Sequence, residues 1–146
     1  MSQHNIAYGK STITINLPNI TASIIEKKPS IVSNNPIELI QQALSNPIGN
    51  CTIASTSIGC KTACILICDI TRPVPNSLFL RPIVNQLLAA NISLQNISIL
   101  VATGLHRPNL NEELAELIGD PWVLENIRIE NNYARNDEDF IDLGFT

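Results

Sequence analysis

The chain has 146 residues, with 9 Lys and Arg against 13 Asp and Glu and a formal net charge of −4. An apolar fraction of 45% and a charged fraction of 15% predict one folded domain rather than a disordered chain. The acidic balance argues against nucleic-acid or membrane-surface partners, whose phosphates need a basic face. No apolar run approaches the roughly 20 residues of a membrane helix, and the N-terminus lacks a signal-peptide pattern. We therefore expect a cytoplasmic protein.

The first predicted elements are a strand, a short extended segment and a helix. Residues 8–17 alternate polar and apolar side chains, which predicts an edge or half-exposed strand. A short extended segment is predicted at residues 22–25. A helix is predicted to start at Pro36, which suits a first helical turn, and to stop at Pro47. His4 lies before all of these, in a segment that we expect to be mobile.

The remainder of the chain alternates predicted strands with predicted helices. In order these are a buried strand at 62–68, a helix at 78–90, a strand at 97–102, a helix at 109–118 and a strand at 127–130. Pro82 is expected to delay or kink its helix. Such alternation predicts a parallel sheet with right-handed crossovers. We therefore predict an α/β fold, a Rossmann-like three-layer domain with a mostly parallel sheet, formed by residues 1–146 as one domain.

The four cysteines are not predicted to form a site. Cys51, Cys60, Cys64 and Cys68 contain no C-x₂-C pair, the spacing usual in zinc and iron–sulfur sites. A reducing compartment disfavours disulfides. Cys64 and Cys68 are interpreted as small apolar residues inside the buried strand. We therefore predict no metal ligands in this chain.

Side chains suited to chemistry follow two of the predicted strands. If strands 62–68 and 97–102 are parallel, the loops after them leave the sheet at the same edge, where open α/β sheets bind ligands. Asp69, Thr71 and Arg72 should then lie near the loop of residues 103–107, which contains Thr103, Gly104, His106 and Arg107. The sequence contains no G-x-S-x-G, P-loop, G-x-G-x-x-G or H-E-x-x-H pattern.

Each of these side chains has a chemical and a structural interpretation. Arg72 offers a planar fork suited to carboxylate or phosphate, and the Thr71 hydroxyl could add an anion contact. His106 suits proton transfer near neutral pH, but could equally be a surface or capping residue. Asp69 could bind a hydroxyl or a cationic ring, or only fix its loop by pairing with Arg72. Gly104 could serve only a tight turn. Together they indicate an anion and hydroxyl site with one base.

Two segments resemble the leading motifs of the nickel-dependent lactate racemase family. They are D-I-T-R-P-V-P-N at residues 69–76 and A-T-G-L-H-R-P-N at residues 102–109. The likeness extends in order to Y-G-K at 8–10, A-L-S-N-P-I-G at 43–49, E-E-L-A-E-L-I-G at 112–119 and D-L-G-F-T at 142–146. It therefore covers nearly the whole chain, and the pairing of D-x-T-R-P with G-x-H-R is quite specific.

The resemblance implies racemisation or epimerisation of a small 2-hydroxy acid such as lactate. Such enzymes use a nickel pincer nucleotide, a pyridinium-3,5-bisthiocarboxylate mononucleotide that holds nickel. One histidine takes the hydroxyl proton while the C2 hydrogen leaves as hydride to the cofactor. By resemblance His106 is that catalytic histidine. Asp69, Ile70, Thr71 and Arg72 correspond to the cofactor-binding loop, and Arg72 also to a contact for the substrate carboxylate.

The same resemblance implies that this chain is only part of such an enzyme. Family members are longer and have a second domain. Their second acid–base histidine, the lysine that anchors the cofactor and the histidine that binds nickel lie further along, and no histidine follows His106 here. We therefore expect the chain alone to be inactive and to need the missing C-terminal part as its partner. The alternatives are a non-catalytic module that binds a nucleotide or hydroxy acid, or a degenerate fragment.

Overall fold

A computed structural model describes residues 2–17, 23, 25, 27–29, 34–49 and 51–144. The chain divides into two compact units, residues 1–32 and 33–146. The extended segment predicted at 22–25 lies outside the described residues, except for residues 23 and 25, which have no regular secondary structure. That residues 1–146 form one domain stays a prediction.

The first unit contains a β-hairpin. Strand β1 (Ser2–Tyr8) pairs antiparallel with β2 (Ser11–Leu17), and the two-residue turn between them includes Gly9 at φ 57°. The predicted strand 8–17 is therefore correct only from residue 11. His4 lies in β1 opposite Ile15, so its segment is a paired strand, which the sequence does not predict. That the segment is mobile stays a prediction.

The second unit contains the predicted parallel sheet. Its strands are β3 (Ala63–Cys68), β4 (Ile97–Ala102) and β5 (Arg128–Asn131), in the order β3-β4-β5, and both pairings are parallel. The α/β fold with a parallel sheet is thus confirmed. Cys68 lies opposite Ala102 in the register. The loops that begin at residues 69 and 103 therefore leave the sheet side by side, as the sequence predicts.

The described part of the second unit contains five α-helices, of which the first two precede β3 and the other three connect the strands. They are α1 (Pro36–Ser45), α2 (Ile53–Thr56), α3 (Asn76–Ala89), α4 (Asn111–Ile118) and α5 (Pro121–Asn126). Helix α3 starts at Asn76 and contains Pro82, so the proline does not delay the helix start. Helices α2 and α5 are absent from the sequence prediction. Among the described residues, no helix is long and apolar enough to cross a membrane.

The core of the second unit lies between one face of the sheet and the helices. Ile99 and Val101 of β4 are fully buried against residues of α3, α4 and α5, which include Leu80, Ile118 and Val123. Burying side chains of this size contributes about 1.5–3 kcal/mol each. The loops that start at residues 69 and 103 thus follow strands that are anchored in this core.

The opposite face of β3 is open within the described part of the chain. Cys64, Leu66 and Cys68 point to this face, and Leu66 is 68% exposed. The interpretation of Cys64 and Cys68 as buried is therefore wrong, because this face of β3 is exposed along the strand.

Candidate active site

The loop after β3 is organised around the carboxylate of Asp69. This residue is only 5% exposed. Its Oδ1 accepts hydrogen bonds from the Thr71 hydroxyl at 2.6 Å and from the Thr71 backbone N–H at 3.3 Å. The N–H of Arg72 donates to the Asp69 carbonyl at 3.2 Å, which closes the turn. The hydroxyl proton of Thr71 is therefore already donated and is not available to an external anion.

The loop after β4 turns sharply and returns towards Asp69. Gly104 has φ 56°, a conformation that favours glycine, and the N–H of His106 donates to the carbonyl of Thr103 at 3.0 Å. The buried Thr103 hydroxyl donates to the carbonyl of Asn132, which ties the loop to the segment after β5. Gly104 thus supplies the tight turn that places His106.

The two loops meet in a hydrogen bond between His106 Nδ1 and Asp69 Oδ2. Hydrogen bonds from the Thr71 hydroxyl and from His106 hold the pKa of Asp69 below its usual value. The carboxylate is therefore ionised near neutral pH and can only accept, so Nδ1 carries the proton. In the neutral imidazole this leaves the lone pair on Nε2. The His106 side chain is 57% exposed, so Nε2 can be reached from solvent.

Arg72 does not pair with Asp69, which settles one alternative left open by the sequence. Its side chain is exposed and has no hydrogen-bond or salt-bridge partner among the described residues. Ile70, between these two residues, donates its N–H to Asn109 and packs its side chain against the core. Of the predicted cofactor loop, the Arg72 guanidinium is thus the group most available to an anion.

Arg107 lies next to His106 in the chain, but its positive charge is paired with the Glu113 carboxylate. Its guanidinium donates two hydrogen bonds to the Glu113 carboxylate, at 2.6 and 2.7 Å. Hydrogen bonds from Arg107 and then from Asn109 lower the pKa of Glu113 to about 2. This bidentate pair fixes the loop to α4 and leaves Arg107 poorly suited to hold a ligand.

Asn109 is a residue of the site that the sequence analysis did not identify. It is 2% exposed, and its Oδ1 accepts from the N–H of Ile70 at 3.2 Å while its Nδ2 donates to Glu113 at 2.9 Å. Its backbone N–H and carbonyl both bond the side-chain amide of Asn131, at 2.8 and 2.9 Å. Two of these partners, Ile70 and Asn131, lie 39 and 22 residues away along the chain, so no local sequence pattern could have revealed them.

An open cleft of about 460 Å³ lies next to His106. Its walls come from residues 105–108 and 132–136. Arg135 contributes an exposed guanidinium that has no hydrogen-bonded partner in the described part of the chain. A cleft of this size with a histidine and a free cation can hold a small anion.

The fold and the site define an α/β domain with an aspartate–histidine pair at the carboxyl edge of a parallel sheet. A sequence model described as the lactate racemase N-terminal domain matches residues 8–146. The chain belongs to this family of lactate racemase N-terminal domains.

Relatives of known name agree with this membership. The chain is 32% identical to the lactate racemase of Thermoanaerobacterium thermosaccharolyticum, an alignment covering 99% of the chain and 34% of that protein. It is 29% identical to the lactate racemase of Lactiplantibacillus plantarum, covering 96% of the chain and 33% of that protein. A solved structure, the lactate racemase apoprotein from the same Thermoanaerobacterium, is similar with a TM-score of 0.77 and 30% identity. That similarity covers 98% of this chain and 33% of the solved one. The chain thus spans about one third of the length of these relatives.

Proposed function

We propose that the chain acts as the N-terminal part of a racemase or epimerase for a small 2-hydroxy acid such as lactate. The observation that carries the proposal is the Asp69–His106 hydrogen bond at the carboxyl ends of β3 and β4. Membership of the lactate racemase N-terminal domain family supports the choice of substrate class. The proposal assigns the acid–base role to His106.

His106 suits the removal of a proton from a hydroxyl group. Asp69 holds Nδ1–H, so that Nε2 of the neutral ring is the acceptor and lies on the exposed side of the pair. The substrate hydroxyl would donate to Nε2, and His106 would take its proton at that nitrogen. The resulting imidazolium is stabilised by the Asp69 carboxylate. A positioned base of this kind contributes typically about 10²–10⁴-fold to rate.

Among the described residues, two guanidinium groups have no ion-pair partner and suit the negative charge of the substrate and cofactor. Arg72 follows the Asp69 turn, and Arg135 lines the cleft beside His106. Guanidinium binds carboxylate and phosphate with two parallel hydrogen bonds. We propose Arg72 for the substrate carboxylate or a nucleotide phosphate, and Arg135 for an anion in the cleft.

The positive charge that Arg72 gives to loop 69–72 suits the negatively charged phosphate of a nickel pincer nucleotide. Its free donor is the Arg72 guanidinium, since the Thr71 hydroxyl and the Ile70 N–H are already engaged within the protein. When bound, this cofactor supplies the acceptor for the hydride from C2 and its later return. The part played by the described residues is to hold the cofactor's anionic end and to move the hydroxyl proton.

Racemisation requires chemistry at both faces of the planar keto acid, and one base serves only one face. The only other histidine of the chain is His4. Since the chain spans about one third of its relatives, we propose that the remaining part of the enzyme supplies the second base, the cofactor's lysine anchor and the nickel-binding histidine. The 146-residue chain alone is accordingly proposed to be inactive.

The test uses the natural gene product loaded with its cofactor. An immunoblot of cells expressing the gene, with antibody against this chain, should detect a polypeptide much larger than 16.0 kDa. His106→Ala should abolish the interconversion of D- and L-lactate by that protein. The matched control is His4→Ala, which changes the other histidine and should leave the rate unchanged.

Two results would contradict the proposal. Racemisation by the His106→Ala protein at the rate of the His4→Ala protein would exclude His106 as the base. A 16.0 kDa product without activity would favour a binding module instead. In that case the NMR signals of His106 and Arg72 should shift saturably with a nicotinate mononucleotide analogue.

A further inference from the structure

Asn109 links the two functional loops at a second point, apart from the hydrogen bond between Asp69 and His106. Its Oδ1 accepts from the N–H of Ile70, which belongs to the peptide group directly after Asp69. Asn109 is also only three residues after His106. Two hydrogen bonds therefore join the two loops, one between Asp69 and His106 and one between Ile70 and Asn109. Two separate links between the same segments restrict rotation as well as separation.

The amide of Asn109 is held in one orientation by its partners. The Glu113 carboxylate can only accept, so Nδ2 faces it, at 2.9 Å, and Oδ1 faces the Ile70 N–H. Asn131 bonds both the N–H and the carbonyl of the Asn109 backbone. Side chain and backbone are thus both fixed, from α4 and from the end of β5. Asn109 therefore presents its acceptor to the Asp69 loop without needing to reorganise.

The two links differ in their exposure to water. The His106 side chain is 57% exposed, whereas Asn109 is 2% exposed. Water can compete for the imidazole of His106, but has little access to the bond between Asn109 and Ile70. A buried hydrogen bond also leaves an unsatisfied group behind when it breaks. The Asn109 link should therefore persist while His106 moves, and should return Asp69 to the position that His106 needs.

We propose that Asn109 is a positioning residue that sets the Asp69–His106 hydrogen bond, and through it the proton position on His106. This inference rests on the proposed function, in which His106 is the base. It assigns Asn109 no contact with substrate or cofactor. Its effect passes through the peptide after Asp69 and through the ring nitrogen that Asp69 holds.

The experiment measures which ring nitrogen of His106 carries the proton. Long-range ¹H–¹⁵N correlation spectra of the labelled 146-residue chain, recorded where the imidazole is neutral, distinguish Nδ1–H from Nε2–H. The unmodified chain should show predominantly Nδ1–H. Asn109→Ser should move the His106 signals towards the mixture found in free histidine, because the Asp69 loop loses its fixed partner.

A matched variant separates positioning from stability. Asn76 is as buried as Asn109, and its Nδ2 donates to the carbonyl of Leu117, so that it ties α3 to α4 instead of joining the two loops. Asn76→Ser should lower the melting temperature yet leave the His106 tautomer unchanged. Equal shifts in Asn76→Ser and Asn109→Ser would overturn the proposal, as would an unchanged tautomer in Asn109→Ser.

Two further variants keep the proposal testable if Asn109→Ser does not fold. Asn109→Asp retains the acceptor for the Ile70 N–H but places a carboxylate beside Glu113, so it should lose stability and still preserve the Nδ1–H tautomer. Asn131→Ser removes the support of the Asn109 backbone and should shift the tautomer partly. A shifted tautomer in Asn109→Asp together with an unchanged tautomer in Asn131→Ser would overturn the proposal. No turnover is measured, so a failure here is distinguishable from a failure of His106 as the base.

Discussion

Asp69 and Asp120 are two largely buried carboxylates with the same electrostatic character but different partners. Hydrogen bonds lower the pKa of both: those of the Thr71 hydroxyl and His106 for Asp69, and chiefly that of Arg81 for Asp120. Both also accept from backbone N–H groups just after them in the chain. The lowered pKa values alone therefore do not distinguish a functional carboxylate from a structural one.

The difference lies in what each partner can do. Arg81 donates its Nε–H to Asp120 at 2.8 Å, and its Cζ lies 4.8 Å from the centroid of the Trp122 ring. Its guanidinium stays charged at any physiological pH. Asp120 in addition caps α5 through the N–H groups of Trp122 and Val123. His106, in contrast, carries an imidazole that can act as an acid or a base, and its side chain is 57% exposed. An accessible partner of this kind is what distinguishes Asp69, and it supports the proposed role of the pair.

The largest expected effect comes from Asp69→Asn in the cofactor-loaded natural protein. The amide can still accept from Thr71, but it then turns an N–H towards His106 Nδ1 and forces the proton onto Nε2. Racemisation should fall by about 10²–10⁴-fold, since the base is then in the wrong tautomer. Steady-state rates of lactate interconversion provide the measurement.

Asp120→Asn is the matched control for that change. It removes the same charge from the other carboxylate and keeps an oxygen to cap α5, so it should retain most of the activity. Equal losses of rate in both variants would mean that charge alone matters, and that the orientation of His106 does not.

A smaller effect, on stability, is expected for Asp120→Ala in the 146-residue chain. Loss of the cap of α5 should cost about 1–2 kcal/mol in the free energy of unfolding. Urea denaturation followed by circular dichroism measures this cost. The His106 tautomer should not change, because Asp120 and Arg81 touch neither functional loop. A shift of the His106 signals in this variant would show that the two carboxylates are not independent.

Much of this arrangement could be predicted from the sequence because it depends on local patterns. The apolar runs at 62–68 and 97–102 predict strands, and their parallel pairing places Asp69 beside His106, as the structure confirms. The start of α5 also has a local sequence signal, although no helix is predicted there. Asp120 followed by Pro121 is a typical N-cap and first helical residue.

Other features depend on partners that no local pattern reveals. An apolar run such as that of β3 looks the same whether one face or both faces are covered, so the exposure of Cys64 and Cys68 could not be predicted. Two partners of Asn109, Ile70 and Asn131, come from segments that are distant in the sequence. Only the assembled sheet edge brings these groups together.

Glu113 shares a feature with each aspartate. It pairs with a permanent cation, Arg107, as Asp120 pairs with Arg81, and it holds Asn109 beside the proposed site that contains Asp69. Its folded-state pKa of about 2 lies below the ordinary value of 4.5, so the unfolded chain binds more protons between these two pH values. Its stabilising contribution is therefore present above pH 4.5 and is lost as the pH falls towards 2.

Glu113→Gln should make the fall in melting temperature over this range shallower, while Glu112→Gln, one residue away, should follow the unmodified chain. Asp69 and Asp120 also lose stabilisation in acid, so some slope should remain. Parallel profiles for Glu113→Gln and the unmodified chain would mean that Glu113 does not contribute to the acid sensitivity.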